Sequence, residues 1–501
     1  MRRHVPMTGF QEHPAISERF SNLCPSRFRR HRRLCVLAVA SLLITGCTVG
    51  PKYVKPTTEV PSSYKETAQN FKEAQPSDQI GKGTWWAIYN DPQLNDLEEQ
   101  IRVSNQTLKA AQAQFEAARA AIHVAHSQAL PNITGGVSGT HNSESFNRPL
   151  SNTNLYYQDY VLPVDVSYEP DLWGRVRRLV EANRSEAQAT AADLANVDLS
   201  LHAELAVDYF QLRGLDAQKK LLDSTVESYT RALELTQSRY HGGVATAVDV
   251  AQAQTQLETT RALAIDVEAN RAAFEHAIAV LVGKPASSFA LPPLSLSTPP
   301  PPVPPGVPSD LLERRPDIAA AERRVEEANA QIGVAKAAYY PNVNLSAGGG
   351  FESGAIGTFI QGASGFWTLA GSAAELIFDG GQRRGISDQT RALYEQSVDN
   401  YRQTVLVAFQ EVEDNLAALR VLQEEAKTED AAVAAAQHSL DLSTTRYKGG
   451  VTNYLEVTTA QSAALSDEVT ALEILIRRMN ASVLLIKAIG GGWNVSQIPP
   501  V

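Results

Sequence analysis

The stretch SRYHGGVATAVDVAQAQ (238–254) returns about 207 residues later as TRYKGGVTNYLEVTTAQ (445–461). Arg239, Tyr240, Gly242, Gly243 and Val244 align with Arg446, Tyr447, Gly449, Gly450 and Val451. Downstream, Val248-Asp249-Val250 aligns with Leu455-Glu456-Val457, and Leu281-Val282-Gly283 with Ala488-Ile489-Gly490. Upstream, Leu130-Pro131-Asn132-Ile133 aligns with Tyr340-Pro341-Asn342-Val343, and Asp171-Leu172-Trp173-Gly174 with Ile377-Phe378-Asp379-Gly380. Four blocks in the same order describe a tandem duplication. The period is too long for a solenoid array.

Each half predicts helix, strand, strand, very long helix, glycine turn, helix. In the first half a helix is expected from Asp91 to Ser127, rich in strong helix formers and ended by Leu130-Pro131. Strands are expected at Ile133–His141 and Val164–Glu169; the second alternates apolar and polar residues with period two. From Arg175 to Tyr240 there is no proline and one interior glycine, Gly214. That helix would span roughly 100 Å at 1.5 Å per residue, more than a globular core needs. A return helix is expected over Thr246–Leu281. The second half predicts a helix over Asp310–Ala338, strands over Asn342–Phe351 and Phe366–Phe378, a helix over Gln382–Tyr447 and another to Ile489. Between the halves, ALPPLSLSTPPPPVPPGVPSD (290–310) favours extended polyproline geometry and reads as a crossover.

Two strands per half make a poor independent sheet with open edges. Val343, Leu345 and Ala347 present one face, and Asn342, Asn344 and Ser346 the other. Apolar outside and polar inside is the pattern of a membrane barrel, which must close to satisfy its backbone in lipid. Four strands cannot close a pore, so three chains and twelve strands are expected. The fold class expected is mainly α with a small membrane β-barrel and a helical tunnel.

The N-terminus has five arginines between Arg27 and Arg33, then the apolar run LCVLAVASLLI (34–44) and Thr45-Gly46-Cys47. This is a secretory leader; its core is too short to span a bilayer. The tail Ile44-Thr45-Gly46-Cys47 resembles a lipobox, which makes Cys47 the expected site of diacylglycerol and palmitate. Met7 is an alternative start. The other cysteines, Cys24 and Cys35, fall inside the leader, so the exported chain has no disulfide partner for Cys47. Thr48 follows where an Asp would favour the inner membrane, so outer-membrane sorting is expected. The leader carries eight Lys+Arg and two Asp+Glu, and removing that +6 from the whole-chain −10 leaves about −16. So acidic a chain is a poor nucleic-acid binder. It also contains no Gly-x-Ser-x-Gly, phosphate loop or His-Glu-x-x-His, and His123 and His126 read as surface residues, so neither an enzyme nor a metal protein is expected.

Several further motifs resemble the TolC-like outer-membrane factors, and in particular the NodT/OprM-type lipoproteins of RND efflux pumps. They are Cys47-Thr48-Val49-Gly50-Pro51-Lys52-Tyr53, Trp85-Trp86, Asp91-Pro92-Gln93-Leu94, Leu312-Glu313-Arg314-Arg315-Pro316-Asp317-Ile318, Ala338-Tyr339-Tyr340-Pro341 and Phe378-Asp379-Gly380-Gly381. The resemblance covers nearly the whole exported chain. It implies a homotrimeric duct with a twelve-stranded outer-membrane barrel, an α-helical periplasmic tunnel and an equatorial collar; Trp85 and Trp86 are expected to pack that collar, the alternative being an anchor at the membrane interface. Its partners would be outer-membrane lipid, a periplasmic adaptor and an inner-membrane RND transporter, and its cargo drugs or other small toxic molecules. A type I protein-secretion duct is the alternative on the same fold. The resemblance places Gly242, Gly243, Val244, Gly449, Gly450 and Val451 at tips that dock the adaptor. It places Leu455 at a constriction. Thr459 and Ser462 stand where the family has an acidic and a basic gate residue, so the family's salt-bridged gate does not carry over to these positions. Asp249 and Glu456, matched by the repeat, form an acidic ring near the tips or are solvated surface acids.

The implied organisation is a leader (1–46), an anchored N-terminal segment (47–90), a first repeat (91–284), the crossover (285–309), a second repeat (310–490) and a tail (491–501).

Overall fold

A computed structural model describes residues 48–66, 84–145, 147, 156–304, 306 and 308–501. The leader and Cys47 lie outside the described residues. The order is α1 (Pro92–Ser104), α2 (Gln106–Ser127), β1 (Asn132–Gly135), β2 (Ser138–Ser143), β3 (Tyr156–Tyr168), α3 (Arg175–His241) and α4 (Ala247–Leu281). The second half contributes α5 (Pro316–Ala337), β4 (Asn342–Ser353), β5 (Gly365–Ala374), α6 (Gln382–Lys448) and α7 (Tyr454–Ala488). The duplication is exact in helix length: α3 and α6 have 67 residues each, and α4 and α7 have 35 each.

The single first helix expected from Asp91 is two. Asn105 leaves helical geometry (φ −64°, ψ 125°) and its Oδ1 accepts the Leu108 N–H, capping α2. Its Nδ2 donates to the Leu281 carbonyl at 2.8 Å, so one side chain satisfies orphan groups at the start of α2 and the end of α4. Asp91 caps α1 by accepting from Gln93 and Leu94 N–H, with Pro92 in the first turn where its missing donor costs nothing. The helix expected from Asp310 is likewise interrupted at Arg315, between a single turn Leu311–Arg314 and α5.

The strands form one antiparallel sheet in the order β1/β2–β3–β4–β5. The first expected strand is split at Gly136–Val137, opposite Pro163 of β3; proline offers no N–H there, and the Gly136 N–H donates to the Pro163 carbonyl. β3 and β4 run 13 and 12 residues, longer than the periodicity showed, because Tyr, Gln, Gly and Pro blur the alternation at their far ends. β5 is shorter than expected: it ends at Ala374, and Leu376, Ile377 and Phe378 lie beyond it, exposed. Among the described residues no helix is long and apolar enough to cross a membrane.

Five packed layers follow α3 along its length. Val176 and Val180 meet Ala125 beside the sheet. Ala192 packs on Ala319 and Ala320 of α5. At the middle lies the largest core, where Trp85, Trp86, Leu94 and Ile101 join Leu205, Tyr209 and Leu212 of α3 with Val483 and Ile486 of α7. Below it, Leu222 meets Ala264, Val267 and Leu465, and last comes the tip cluster of Ala253, Tyr447, Tyr454 and Val457. The one interior glycine of α3 is explained by close approach: a Cβ on Gly214 would stand 2.2 Å from Ile476 Cδ1 of α7.

The central core lies where the family resemblance expects a collar. Trp85 and Trp86 are buried in it, as the sequence reading expected. The crossover is strapped onto the first hairpin rather than loose. Buried Asp216 accepts from Arg213 (2.9 Å), Arg271 (2.6 Å) and the Leu294 N–H (2.9 Å), while the two arginines donate to the Pro292 and Leu291 carbonyls. Arg315 of the Arg-Arg-Pro-Asp motif ties the second half: it donates to Asp317, Glu411 and the Ala488 carbonyl, joining α5, α6 and the end of α7. The N-terminal segment also runs through these grooves. Val49 N–H donates to the Trp173 carbonyl, Arg178 donates to the Val49 and Pro51 carbonyls, and Glu413 accepts from Lys65 and Glu66 N–H.

Candidate channel and gate

The sheet has two chemically distinct faces, fixed by its register. Leu162, Val164, Val166 and Tyr168 of β3 lie beside Phe351, Gly349, Ala347 and Leu345 of β4. Gly349, Ala347 and Leu345 pair in turn with Trp367, Leu369 and Gly371 of β5. Side chains on one face alternate with those on the other. Val164, Leu345, Trp367 and Leu369 are therefore a single apolar surface, and each is at least 46% exposed. The opposite face carries Asp159, Asp165, Ser167, Asn344, Ser346, Glu352, Thr368 and Ser372, with Ser167 donating to Asn344 Oδ1 at 3.2 Å. Two edges, β1/β2 and β5, have no strand partner within the described residues. An apolar exposed face, a polar reverse and two unpaired edges suit a segment of a barrel in lipid.

At the far end of the helices the two glycine turns lie side by side. Gly243 (φ 73°) and Gly450 (φ 74°) take the left-handed conformation that reverses the chain; Gly242 and Gly449 do not, since their φ values are −79° and −73°. Arg239 of α3 crosses to the second hairpin: its Nη1 donates to the Lys448 carbonyl at 3.0 Å, and its guanidinium lies 4.9 Å from the Tyr447 ring centre. Asp249 crosses the other way. Its Oδ1 accepts the Tyr454 N–H at 3.1 Å, while Oδ2 accepts from the Thr246 N–H (2.8 Å) and hydroxyl (2.9 Å). Burial disfavours the charged Asp249, yet the bonds from Thr246 and Tyr454, with Arg239 nearby, outweigh it and hold the carboxyl below its ordinary range.

The repeat-matched partners behave differently. Arg446 stays in its own hairpin and pairs with Glu456 at 2.9 Å; Glu456 also accepts from the Thr452 hydroxyl. Asp249 is thus neither a solvated surface acid nor a free carboxylate facing a pore: it is an 8%-exposed cap with both oxygens used inside the protomer. Glu456 is only partly exposed and also paired.

Leu455, Thr459 and Ser462 fall on one exposed strip of α7, at i, i+4 and i+7. Thr459 Oγ1 bonds back to the Leu455 carbonyl, and the Ser462 hydroxyl donates to Gln256 of α4 at 3.3 Å. Neither is ion-paired, and neither has a charge to pair. The buried face of the same helix carries Tyr454, Val457 and Gln461. Tyr447 and Tyr454 meet edge to face at 5.2 Å, and Tyr229 donates to the Gln461 carbonyl at 3.1 Å. Sequence reading missed Tyr454 and Arg239 as functional candidates. Tyr454 aligns with Ala247 in the repeat, and that mismatch was the available signal. Val244 and Val451 are exposed at the turns, 68% and 72%. His123 and His126 are both exposed, and no metal-binding cluster occurs among the described residues.

A two-faced sheet set on a 67-residue helical shaft is the plan of an outer-membrane channel with a periplasmic helical part. The comparisons give the family: the profile of the outer membrane efflux proteins matches residues 97–284 and 307–491, and the chain belongs to that family. It is 31% identical over 474 residues to the toluene efflux pump outer membrane protein TtgF of Pseudomonas putida, covering 92% of this chain and 97% of that one. It is 27% identical over 462 residues to the cation efflux system protein CusC of Escherichia coli, covering 91% and 97%. Among solved structures, the outer-membrane channel OprN superposes with a TM-score of 0.84 at 30% identity, over 89% of this chain and 100% of that one. The protein is an efflux channel of the outer membrane, a duct and not an enzyme.

Proposed function

We propose that three copies of this chain join edge to edge into a twelve-stranded barrel and serve as the exit duct of a tripartite RND-type pump. The observation that carries this reading is the sheet: a lone sheet of four strand positions, β1 and β2 sharing one, with two open edges among the described residues and an exposed Trp367–Leu369 face is unsuited to water. Edge-to-edge closure places that face in lipid and Asp159, Asp165 and Glu352 around a wet lumen. The cargo is drugs or other small toxic molecules; relatives named for toluene and for cations share the fold, so cargo choice lies with the inner-membrane transporter.

Cys47 carries the lipid. Thr48 packs against Gly174, where an added Cβ would stand 2.5 Å from Thr48 Cγ2, and Val49 bonds to Trp173. Trp173 lies at the junction of sheet and shaft and donates to the Pro341 carbonyl. The attachment of Thr48 and Val49 at this junction supports a lipid on Cys47, the residue before Thr48.

The gate is the strip Leu455, Thr459, Ser462, released when the adaptor engages the turns at Gly242-Gly243-Val244 and Gly449-Gly450-Val451. Opening requires the second hairpin to part from the first, which breaks the Arg239–Lys448 and Asp249–Tyr454 contacts. Adaptor binding that favours the parted state shifts the population toward it. The gate holds by packing and these cross-hairpin bonds, not by a salt bridge at Thr459.

Purified lipidated protein in detergent should have the mass of a trimer and conduct ions in planar bilayers. A monomer that never conducts would sink the reading. Cys47→Ser should lose the acyl mass by mass spectrometry, and retention of that mass would sink the lipid assignment.

A further inference from the structure

A titratable pair far from both barrel and tip has no part in the duct reading above. His202 of α3 and Glu98 of α1 are 1% and 0% exposed, and His202 Nδ1 stands 2.5 Å from Glu98 Oε2. Trp86 covers the imidazole, its ring stacked at 4.4 Å with an interplanar angle of 18°. The other charged groups facing the pair are Asp198 of α3, whose Oδ1 is 3.3 Å from His202 Nε2, and Arg102 of α1. Glu98 Oε1 has no hydrogen-bond partner among the described residues. A cavity of about 490 Å³, lined by Trp86, Arg102, Asp198, His202 and Trp493, reaches the His202 ring and gives protons a route to Glu98 through it.

We propose that Glu98 and His202 form a proton-operated latch in the collar, which clamps α1 onto the long helix α3 while protonated and loosens it when the protons leave.

The electrostatics follow from the geometry. With Glu98 neutral and His202 cationic, Asp198 balances the imidazolium, and the Arg102 guanidinium leaves the four groups with one net positive charge. Losing one proton leaves Glu98 and Asp198 flanking an imidazolium. Losing the second leaves two carboxylates beside a neutral ring, with Glu98 wholly out of water, a costly arrangement. Burial pushes the Glu98 carboxyl up to about 7, with the His202 bond and charge only partly opposing it. Burial alone would lower His202, but the Glu98 hydrogen bond and the nearby Asp198 and Glu98 carboxylates exceed it and the net shift is upward. Both groups are raised in the folded state. Each therefore stabilises the docked collar fully below its unfolded value, 4.5 for Glu98 and 6.5 for His202. Each loses that contribution as pH rises through the folded value. The window for Glu98 runs from 4.5 to about 7, and His202 extends it upward. An exported collar meets the pH of its surroundings directly, so acid tightens this joint and alkali relaxes it.

Hydrogen exchange on the full-length trimer in detergent, corrected for the intrinsic pH dependence, reads the latch. Amides of α1 should lose protection on the order of tenfold between pH 6 and pH 9, while amides of the α6–α7 tip do not follow the same curve. Glu98→Gln should flatten that dependence. A flat wild-type profile would overturn the proposal, as would an unchanged profile in Glu98→Gln. If the variant fails to assemble, exchange at the His202 ring C2 proton decides on wild-type protein alone. A midpoint above 6.5 supports the latch and one below it ends the idea.

Discussion

The backbone N–H of Tyr454, the first residue of α7, is capped by the side chain of Asp249, the third residue of α4, at 3.1 Å. The residue preceding Tyr454, Asn453, makes no side-chain cap of its own. A helix start leaves four N–H groups unsatisfied and favours a nearby anion. Here the anion comes from the other half of the duplication, so separating the hairpins uncaps a helix as well as breaking a contact.

Asp249→Asn keeps one accepting oxygen where the carboxylate uses two. Either Thr246 or Tyr454 then loses its partner, at a cost of about 1 kcal/mol. Single-channel recording should show a larger open fraction. Glu456→Gln, removing the repeat-matched acid from a partly exposed pair, should change it by much less, since such pairs are worth about 0–1 kcal/mol.

Acid should also loosen the tip. The folded-state Asp249 carboxyl is lowered from 3.8, so its contribution is present above that value and disappears as pH falls through the lower folded one. Open probability at pH 3 should exceed that at pH 5, with the difference absent in Asp249→Asn. This is the opposite sign to the collar pair.

Arg239→Lys retains the charge but not the planar fork that donates to Lys448 while lying over the Tyr447 ring. Conductance should rise in Arg239→Lys and rise further in Arg239→Ala. Tyr447→Phe removes only a 3.4 Å contact with Thr236 and should behave like wild type.

The two sheet faces should respond differently to charge. Leu369→Arg places a cation on the apolar face and should cost about 2–4 kcal/mol near the bilayer centre, read as loss of trimer in urea titration. Ser372→Arg on the polar face should assemble normally and shift the reversal potential toward anions.

Gly214→Val should weaken the α3–α7 contact, because a Cβ there meets Ile476 at 2.2 Å. The expected cost is about 1–3 kcal/mol from overpacking, and Ile476→Ala in the same chain should recover part of it.

Helix and strand identity was legible along the chain because each signal is local. The proline-free run from Arg175 is a helix as long as its composition implied, and Gly242-Gly243 and Gly449-Gly450 end their helices where the sequence placed them. The breaks at Asn105 and Gly136–Val137 were not legible. Asn105 is decided by a bond to Leu281, 176 residues away, and the strand break by Pro163 across the sheet.

The duplicated pattern by itself settled the two-half plan, the paired hairpins and the alternation that gives the sheet one apolar side, since periodicity and helix breakers act over a few residues. It also made Asp249 and Glu456 look equivalent. Only the tertiary structure separated them, sending Asp249 across to the Tyr454 N–H and Glu456 back to Arg446. Copies of one sequence block start with the same local preferences. Once α4 and α7 pack against different neighbours, each side chain takes the partner that its own surroundings leave unsatisfied.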